Sequence, residues 1–532
     1  MFGSFSAPTK AVKTGIDNED CRQKRQEVSV QIRKTKREDN LRKRRMCTGL
    51  SEQQNPRPET ATTEVIAVIT TNLPDMKLAM EAHGNFDRQL AGTRAVRKLL
   101  SMRTSPPVQE VVDADVIPLL CSFLAMNDQP DLQFEAAWAL TNIGSSDLTS
   151  SIFDAGVVPL LVPLLVSNDA QLREQAAWCI GNIAGDCFSY RDAVLSAPGA
   201  VDGLLLNIVH PSSQSMLRNV TWTVSNLCRG NKPKPSLDKL APIVPVLREL
   251  VEKCDDEETL VDACWALSYI SDGDNEKIDL VVDNGLCEFL VKLLQQDQEG
   301  KFVAPCLRTL GNVVTGSDHH TQTALEAGLL RVLPSLLESS RSGTRKEAAW
   351  TCSNITAGTR SQIGAFLAMP GLPEAIVEAL RSGEWSTQKE AAWAISNICN
   401  GGSSEHIQCI VERYKVISPI CDLLNCADTR IISIMLNSIE AILKLNANEY
   451  VNLIEESDGL EKLESLQNHK DDSIYEQSKR IIENYFGVEE QDEENENLVP
   501  NIEGNQFAFS KFSKGSFQQV PEQNTAFNFN FA

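Results

Sequence analysis

One pattern of apolar and polar positions recurs along most of this chain. Its first copy, residues 135–143, reads Glu-Ala-Ala-Trp-Ala-Leu-Thr-Asn-Ile, with apolar residues three and four positions apart, as on one face of a helix. A second helical pattern precedes each copy, as at 157–165, and breakers such as Asp154-Ala155-Gly156 separate the units. The pattern therefore predicts repeated units, each a short helix followed by two longer ones.

The repeat has a period in the low forties. Its tryptophan position falls at residues 138, 178, 222, 265, 308, 350 and 393, with spacings of 40 to 44 residues. Weaker copies include Arg97 with Ser101, Asn437 with Ala441, and a last one near 475–486. This period fits helical armadillo-type arrays or the strands of WD40 blades, and the helical spacing favours the former. Such units bury their apolar faces by stacking, so we expect one elongated superhelical solenoid with a concave face and two tails.

Within each copy the tryptophan and an asparagine lie four positions apart, one turn from each other on the same helix face. Ala137, Leu140 and Ile143 already supply core positions in the first copy. The tryptophans alone are compatible with a core role, but a buried asparagine amide needs hydrogen-bond partners. We therefore predict a surface ladder of indoles and amides. Five copies carry both residues: Trp138 with Asn142, Trp178 with Asn182, Trp222 with Asn226, Trp350 with Asn354, and Trp393 with Asn397.

The composition of the ladder predicts a basic peptide as its ligand. An asparagine amide can bind peptide backbone groups, and a cation over an indole gains about 0.5–2 kcal/mol. Acidic residues stand three positions before the tryptophan position in four copies, and Asp186 follows Asn182 by one turn. The four are Glu135, Asp262, Glu347 and Glu390. These features predict binding of an extended Lys/Arg-rich peptide.

Two copies interrupt the ladder. Tyr269 replaces the asparagine after Trp265, and Arg308 replaces the tryptophan before Asn312. Arg308 is expected to repel a lysine and to attract acidic groups. Two intact stretches of the ladder remain. A peptide with two basic clusters joined by a spacer would occupy both, and linking the clusters would raise its affinity through effective concentration.

The charge of the chain is divided unevenly. The net charge is −22, but residues 1–50 hold 13 basic and 6 acidic residues, so this segment carries +7 and the remainder −29. A strongly anionic body is a poor general binder of nucleic acid. No run of 18 apolar residues predicts a membrane span, and the N-terminus lacks a signal-peptide pattern.

The sequence offers no pattern of a catalytic or metal site. The 15 cysteines are scattered without a C-x-x-C pair, and the 6 histidines form no H-E-x-x-H pattern. We interpret the cysteines as buried apolar residues in a reducing compartment. With no P-loop and no nucleophile–base pair, the chain is predicted not to be an enzyme and to need no cofactor or metal.

The two tails have different compositions. Residues 10–45 are basic in bursts, and their middle, about 22–37, fits a basic helix on a partner, with a nucleic-acid-binding arm or a solvated tail as the alternatives. Lys43-Arg44-Arg45 is also a short basic peptide tethered to an acidic groove, so it should compete with ligands. Residues 489–496 are acidic, and 503–532 are polar with spaced phenylalanines. Disorder is the expectation for this tail, with its phenylalanines as alternative docking points: Phe507, Phe509, Phe512, Phe517, Phe527, Phe529 and Phe531.

Together these features resemble the importin alpha family, the adaptors for cargo that carries a nuclear localisation signal. The resemblance rests on the ladder, its interruption at Tyr269 and Arg308, Gly185-Asp186 after the second copy, and the basic clusters 33–37 and 42–45. It implies an all-α, armadillo-repeat, right-handed superhelical solenoid with disordered tails. It further implies a segment of 1–58, about ten repeats over 59–485 and a tail of 486–532.

The resemblance also implies two signal-binding sites for cargo with monopartite or bipartite basic signals. The major site comprises Trp138, Asn142, Trp178, Asn182, Asp186, Trp222 and Asn226, with Asp186 pairing with the key lysine. The minor site comprises Arg308, Asn312, Trp350, Asn354, Glu390, Trp393 and Asn397.

Further partners follow from the same resemblance. Segment 1–58 would bind importin beta and, when unbound, inhibit the groove through Lys43-Arg44-Arg45. The residues implied for these two roles together are Arg33, Lys34, Lys36, Arg37, Lys43, Arg44 and Arg45. The last repeat with the acidic run would bind the nuclear export receptor, so the protein would shuttle between cytoplasm and nucleus. The alternative is an armadillo scaffold of the adhesion or signalling type, like the catenins, whose grooves are typically basic. The acids beside the indoles argue against it.

Overall fold

The computed structural model describes residues 72–102, 105–230 and 233–486, together with the backbone of 501–503 and 506–508. Ten helices carrying the recurring pattern, here called third helices, follow one another along this part of the chain. They are Phe86–Leu100, Pro130–Gly144, Ala170–Asp186, Gln214–Cys228, Glu257–Ile270, Val303–Val313, Ser342–Thr356, Trp385–Gly401, Thr429–Leu445 and Asp472–Tyr485. The three weaker copies of the pattern thus each lie on a third helix.

Further helices precede each third helix. Leu73–Met80 precedes the first, and two helical segments precede each of the others. The segments directly before a third helix are Ile117–Leu124, Val157–Leu161 with the 3-10 turn Val162–Val166, Ala200–Val209, Ile243–Lys253, Leu286–Gln296, Leu333–Leu337 after the 3-10 turn Leu329–Arg331, Leu372–Ser382, Ile417–Asp422 with the 3-10 turn Leu423–Asn425, and Gly459–Leu466. The first helices are Val108–Asp113, Thr149–Asp154, Phe188–Ser196, Leu237–Leu240, Asn275–Asp283, Asp318–Glu326, Arg360–Ala368, Ser404–Gln408 continued by the π-helical turn Cys409–Arg413, and Ala447–Glu455. This order confirms the predicted all-α solenoid of three-helix armadillo units.

A left-handed residue turns the chain between the first and second helix of eight repeats. Five of these positions are glycines, which adopt a positive φ without strain. They are Gly156, Gly199, Gly285, Gly328 and Gly371, with Asp115, Lys415 and Asp458 in the equivalent places. The turn after Phe188–Ser196 bends the chain by 83°, and the turn after Arg360–Ala368 bends it by 89°. The breakers predicted from the sequence therefore set the angle within each unit.

The core lies where each third helix packs against the third helices of the neighbouring repeats. Small residues allow this close approach, and Ala136, Ala137, Ala176 and Ala177 are completely buried. The predicted core residues Ala137, Leu140 and Ile143 are also completely buried, so that prediction is confirmed.

The cysteines of the described residues are free thiols, and Cys179, Cys264 and Cys399 are buried among the apolar residues. Burial raises the pKa of Cys179 and of Cys399 to about 12, which keeps both protonated near neutral pH. These three thiols therefore pack as apolar side chains, as predicted.

The described part of the tail is a short antiparallel pair of strands, β1 (Asn501–Glu503) and β2 (Gln506–Ala508), with Ile502 opposite Phe507. The polar composition of the tail does not predict this pair. The rest of the tail, like segment 1–58, lies outside the described residues. Among the described helices, none is by itself long and apolar enough to cross a membrane.

Polar caps begin several third helices, and one also joins two repeats. Asp256 caps Glu257–Ile270 by accepting hydrogen bonds from the backbone N–H of Thr259 (3.0 Å) and from its hydroxyl (2.7 Å). The same carboxylate accepts a hydrogen bond from Nε of Arg218 on the preceding third helix, at 3.0 Å. Partial burial raises the pKa of Asp256, but the bonds from Arg218 and Thr259 outweigh it and lower the pKa to about 2.

Asp256→Ala is expected to lower the free energy of unfolding by about 1–2 kcal/mol at pH 7, because a cap and an inter-repeat ion pair are lost. An unfolded aspartate has a pKa near 4. The stabilisation by the native carboxylate is therefore complete above about pH 4 and lost as the pH falls towards 2. Urea unfolding followed by circular dichroism at pH 7 and pH 2.5 measures the difference. The exposed neighbour Asp255→Ala is the control, and a pH-independent difference would contradict this account.

Candidate peptide-binding groove

The ladder residues lie on the third helices, with each tryptophan one turn before its asparagine. They are more buried than the sequence predicts. Trp138 and Trp350 are 8% exposed, Asn182 and Asn226 are 5% exposed, and Trp178, Trp222 and Trp393 are half-buried. The ladder is thus part of the packing between repeats as well as a surface feature.

The buried amides have partners on the preceding repeat. Nδ2 of Asn182 donates a hydrogen bond to the carbonyl oxygen of Thr141 at 3.0 Å, and Nδ2 of Asn226 donates one to Gly181 at 3.1 Å. The same bond joins Asn312 to Ser268 (3.1 Å) and Asn397 to Ser353 (2.8 Å). A surface position is expected for the ladder because a buried amide needs partners, but these buried amides have such partners in carbonyl groups of another repeat.

Two ladder amides bond differently. Asn142 donates to the hydroxyl of Ser101, the residue directly after the preceding third helix, at 2.9 Å. Asn354 donates to the carbonyl of Trp350 in its own helix, also at 2.9 Å. In Asn397, the amide oxygen Oδ1 is buried and has no donor among the described residues. A hydrogen-bond donor from a ligand would remove that penalty.

The indoles pack against small residues of the preceding repeat. A side chain at Gly181 would collide with Trp222, and one at Gly311 would collide with Trp350. The residue before the asparagine position is small in every copy, including the copy with Tyr269 at that position, and this is the sequence signal from which the burial of the indoles could have been predicted. These residues are Thr141, Gly181, Ser225, Ser268, Gly311, Ser353 and Ser396.

Glu135 does not offer an open negative charge to a ligand, contrary to the sequence expectation. It is 4% exposed, and its two carboxylate oxygens accept hydrogen bonds from Nε of Arg94 and Nε of Arg97, both at 2.8 Å. Burial raises the pKa of Glu135, but the two guanidinium groups outweigh it and hold the pKa below its usual range. Glu135 is thus ionised and already neutralised within the protein.

Arg308 is engaged in the same way. Its Nη2 donates a hydrogen bond to Glu347 at 3.0 Å, and its guanidinium carbon lies 5.8 Å from the ring centre of Trp265. The expectation that Arg308 attracts acidic groups of a ligand is therefore corrected, because Glu347 already balances its charge. Tyr269, the other interrupting residue, stacks on Trp265 with ring centres 6.0 Å apart.

The other acidic positions differ in exposure. Asp186 is exposed, is the last residue of Ala170–Asp186, and pairs with no described residue. A carboxylate is electrostatically unfavourable at the C-terminal end of a helix, so this position favours a cationic ligand. Asp262 is half-buried, and Glu390 is 5% exposed.

The ladder changes character after Trp393 and Asn397. Asn437 occupies the tryptophan position of the next third helix, and its Oδ1 accepts a hydrogen bond from Gln477 at 2.6 Å. A cavity of about 510 Å³ lies beside it, with Asn400, Ser403, Glu440 and Lys444 among its lining residues. The indole ladder therefore ends at Trp393.

The remaining predicted site residues are in segment 1–58, outside the described residues: Arg33, Lys34, Lys36, Arg37, Lys43, Arg44 and Arg45. Within the part of the chain that the structure describes, no group of three or more His, Cys, Asp or Glu side chains is placed to hold a metal ion.

Comparison with known protein families places three kinds of unit on this chain. The importin beta binding domain matches residues 10–94. The armadillo/beta-catenin-like repeat matches 104–145, 145–185, 241–272 and 317–357, and an atypical armadillo repeat matches 448–501.

Curated relatives cover nearly the whole chain. Importin subunit alpha-4 of Arabidopsis thaliana is 44% identical over 91% of this chain and 92% of its own length. Importin subunit alpha-1a of Oryza sativa subsp. japonica is 43% identical over 94% of this chain and 95% of its own length. The chain belongs to the importin alpha family.

A solved structure supports the same fold. The crystal structure of an engineered protein is 27% identical, with a TM-score of 0.68, and the match covers 80% of this chain and 100% of that one. In this importin alpha, the importin beta binding match extends beyond the predicted segment 1–58 and includes Leu73–Met80.

Gly311→Ala is expected to destabilise the fold by about 1–3 kcal/mol, because the added methyl group must displace the indole of Trp350. Gly343→Ala is the matched control, since nothing lies within 4 Å of its new methyl group and alanine favours the helix. Thermal unfolding of both variants measures the effect. Equal unfolding temperatures would contradict the proposed contact.

Proposed function

We propose that this importin alpha is a nuclear import adaptor that binds Lys/Arg-rich nuclear localisation signals of cargo and links them to importin beta. One observation carries the proposal: a single chain combines an importin beta binding domain with an array of regularly placed indoles and amides. The relatives are importin alpha subunits over nearly their whole length.

The major site is proposed on the third helices that carry Trp138, Trp178 and Trp222, with Asn142, Asn182 and Asn226. Asparagine suits this role because its amide offers both donors and an acceptor, and in Asn182 and Asn226 Nδ2 donates within the solenoid. Asp186 is proposed to pair with the key lysine, since its carboxylate is exposed at the end of a helix.

The minor site is proposed around Trp350, Asn354, Trp393 and Asn397. Glu390, which lies one turn before Trp393 and is 5% exposed, is assigned to the same site. The buried, unpartnered Oδ1 of Asn397 supports peptide binding in this stretch. Asn312 and Arg308 form its boundary with the first stretch, and the Arg308–Glu347 pair makes Arg308 a divider rather than a ligand-binding cation.

Segment 1–58 is proposed to inhibit the groove until importin beta binds it. The first 50 residues carry a net charge of +7, most of it in clusters of lysine and arginine, whereas the rest of the chain carries −29. Electrostatic attraction and tethering at high effective concentration favour the intramolecular complex.

The cellular cycle also belongs to the proposal. The protein would shuttle between cytoplasm and nucleus, and the last repeat with the acidic run 489–496 would bind the export receptor. No catalytic activity, membrane or direct nucleic-acid partner is proposed. The catenin-like scaffold is not favoured, because the chain belongs to the importin alpha family.

Asp186→Lys is expected to weaken binding of a single-cluster lysine-rich peptide by at least about tenfold, because an ion pair becomes a repulsion. Fluorescence titration of the labelled peptide measures the affinity. Asp202→Lys is the matched control, since it makes the same charge change at an exposed position on Ala200–Val209. Equal affinities of the two variants would reject the assignment of Asp186. Tighter binding of an acidic peptide than of the basic one would favour the scaffold alternative.

Deletion of residues 1–58 is expected to tighten binding of the same peptide, because the competing basic clusters are removed. Importin beta added to the full-length chain should have the same effect and should leave the truncated chain unchanged. If full-length and truncated chains bind the peptide equally, segment 1–58 does not inhibit the groove.

A further inference from the structure

Arginines of the chain itself stand at both ends of the first run of indoles, defined here as Trp138, Trp178, Trp222 and Trp265. At one end, the guanidinium carbon of Arg97 lies 4.3 Å from the ring centre of Trp138. At the other, the guanidinium carbon of Arg308 lies 5.8 Å from the ring of Trp265. Both distances are within the range of a cation–π contact.

The two arginines are held by the same arrangement. Each occupies the tryptophan position of its repeat and pairs with the glutamate three positions before the tryptophan of the next repeat. Arg97 thus pairs with Glu135 at 2.8 Å, and Arg308 pairs with Glu347 at 3.0 Å. At both ends, the protein itself therefore supplies the indole, the carboxylate and the cation that contacts them.

We propose that Arg97 and Arg308 are end stops that fix the length and register of the basic cluster bound along the first run. This inference rests on the proposed binding of basic peptides. Each arginine occupies a place that a lysine of the ligand would otherwise take, namely the outer face of a terminal indole and the neighbouring carboxylate. The cluster is thereby confined to the spaces between the four indoles.

Local charge supports this confinement. A lysine entering beside Arg97 would meet a like charge and a glutamate that is already bonded to two guanidinium groups. Between the ends, the groove instead presents the exposed carboxylate of Asp186, which favours cations. Charge therefore disfavours a lysine beside Arg97, where two arginines share one glutamate, although the overall charge of the body is strongly negative. At Arg308, whose charge Glu347 balances, the guanidinium group excludes a lysine by occupying the space beside Trp265.

The two stops differ in rigidity. The side chain of Arg97 is 6% exposed, and Arg94 gives its partner Glu135 a second ion pair. The side chain of Arg308 is 20% exposed and makes one such bond, and its Nε and Oε2 of Glu347 are buried without partners. Arg308 is therefore the stop that moves more readily, at the position where the spacer of a two-cluster signal would cross.

The test measures the affinity of the full-length chain for two peptides of the same length. One has three lysines flanked by alanines, and the other has seven consecutive lysines. Arg97→Ala is expected to raise the preference for the longer cluster by about threefold to tenfold, the value of one added cation–indole contact. Arg94→Ala is the matched control, because it removes the other bond to Glu135 and leaves Arg97 over Trp138. An unchanged preference in Arg97→Ala would overturn the proposal at this end.

Arg308→Ala tests the other end of the run. Because Arg308 is less buried than Arg97, the proposal remains testable even if Arg97→Ala fails to fold. The preference of Arg308→Ala for the longer cluster should also rise. Arg345→Ala is its control, since Arg345 pairs with Glu384 of the next repeat away from the ladder. Equal weakening of both peptides by either alanine variant would indicate a purely structural arginine and overturn its role as a stop. If neither peptide bound the unsubstituted chain, the proposed function itself would fail, and the end stops with it.

Discussion

The contact between successive third helices is the interaction on which the rest of this structure depends. Across it, a ladder amide donates to a carbonyl of the preceding repeat, as from Asn182 to Thr141 and from Asn226 to Gly181. The indole of Trp222 lies against Gly181 at the same contact. A repeat that cannot bury its own apolar face is stable only through such neighbours. The residues that join the repeats are thus the same residues that form the candidate binding surface.

This double use limits how negative the groove is. The sequence places an acidic residue three positions before four of the tryptophan positions. Glu135 and Glu347, however, form ion pairs with arginines of the preceding repeats. A buried carboxylate requires such a partner, because desolvation of an unpaired charge is costly. The net charge of −29 outside the first 50 residues therefore describes long-range attraction, whereas individual ion pairs decide where a lysine fits.

The sequence was sufficient for the fold because its signals are local. The helical period and the breakers at Gly156 and Gly328 define each unit without reference to any other. The ladder was also predictable, but its burial was not, because the partners of Asn182, Asn226, Asn312 and Asn397 lie 41 to 45 residues away on another repeat. The pairing of Arg97 with Glu135 has the same origin. Both contacts depend on how repeats are offset, and the period of one helix carries no information about that offset.

The choice of asparagine at the ladder follows from these two demands. The amide nitrogen is used within the solenoid, as in Asn397, while the amide oxygen of that residue has no donor among the described residues. Aspartate would lack the N–H donor that joins the repeats. Serine or alanine would be too short to reach the carbonyl of the preceding repeat or would lack a second hydrogen-bonding group. A ligand that donates to the amide oxygen does not compete with the inter-repeat bond. Binding can therefore add to the stability of the array, and a substitution of a ladder asparagine affects both.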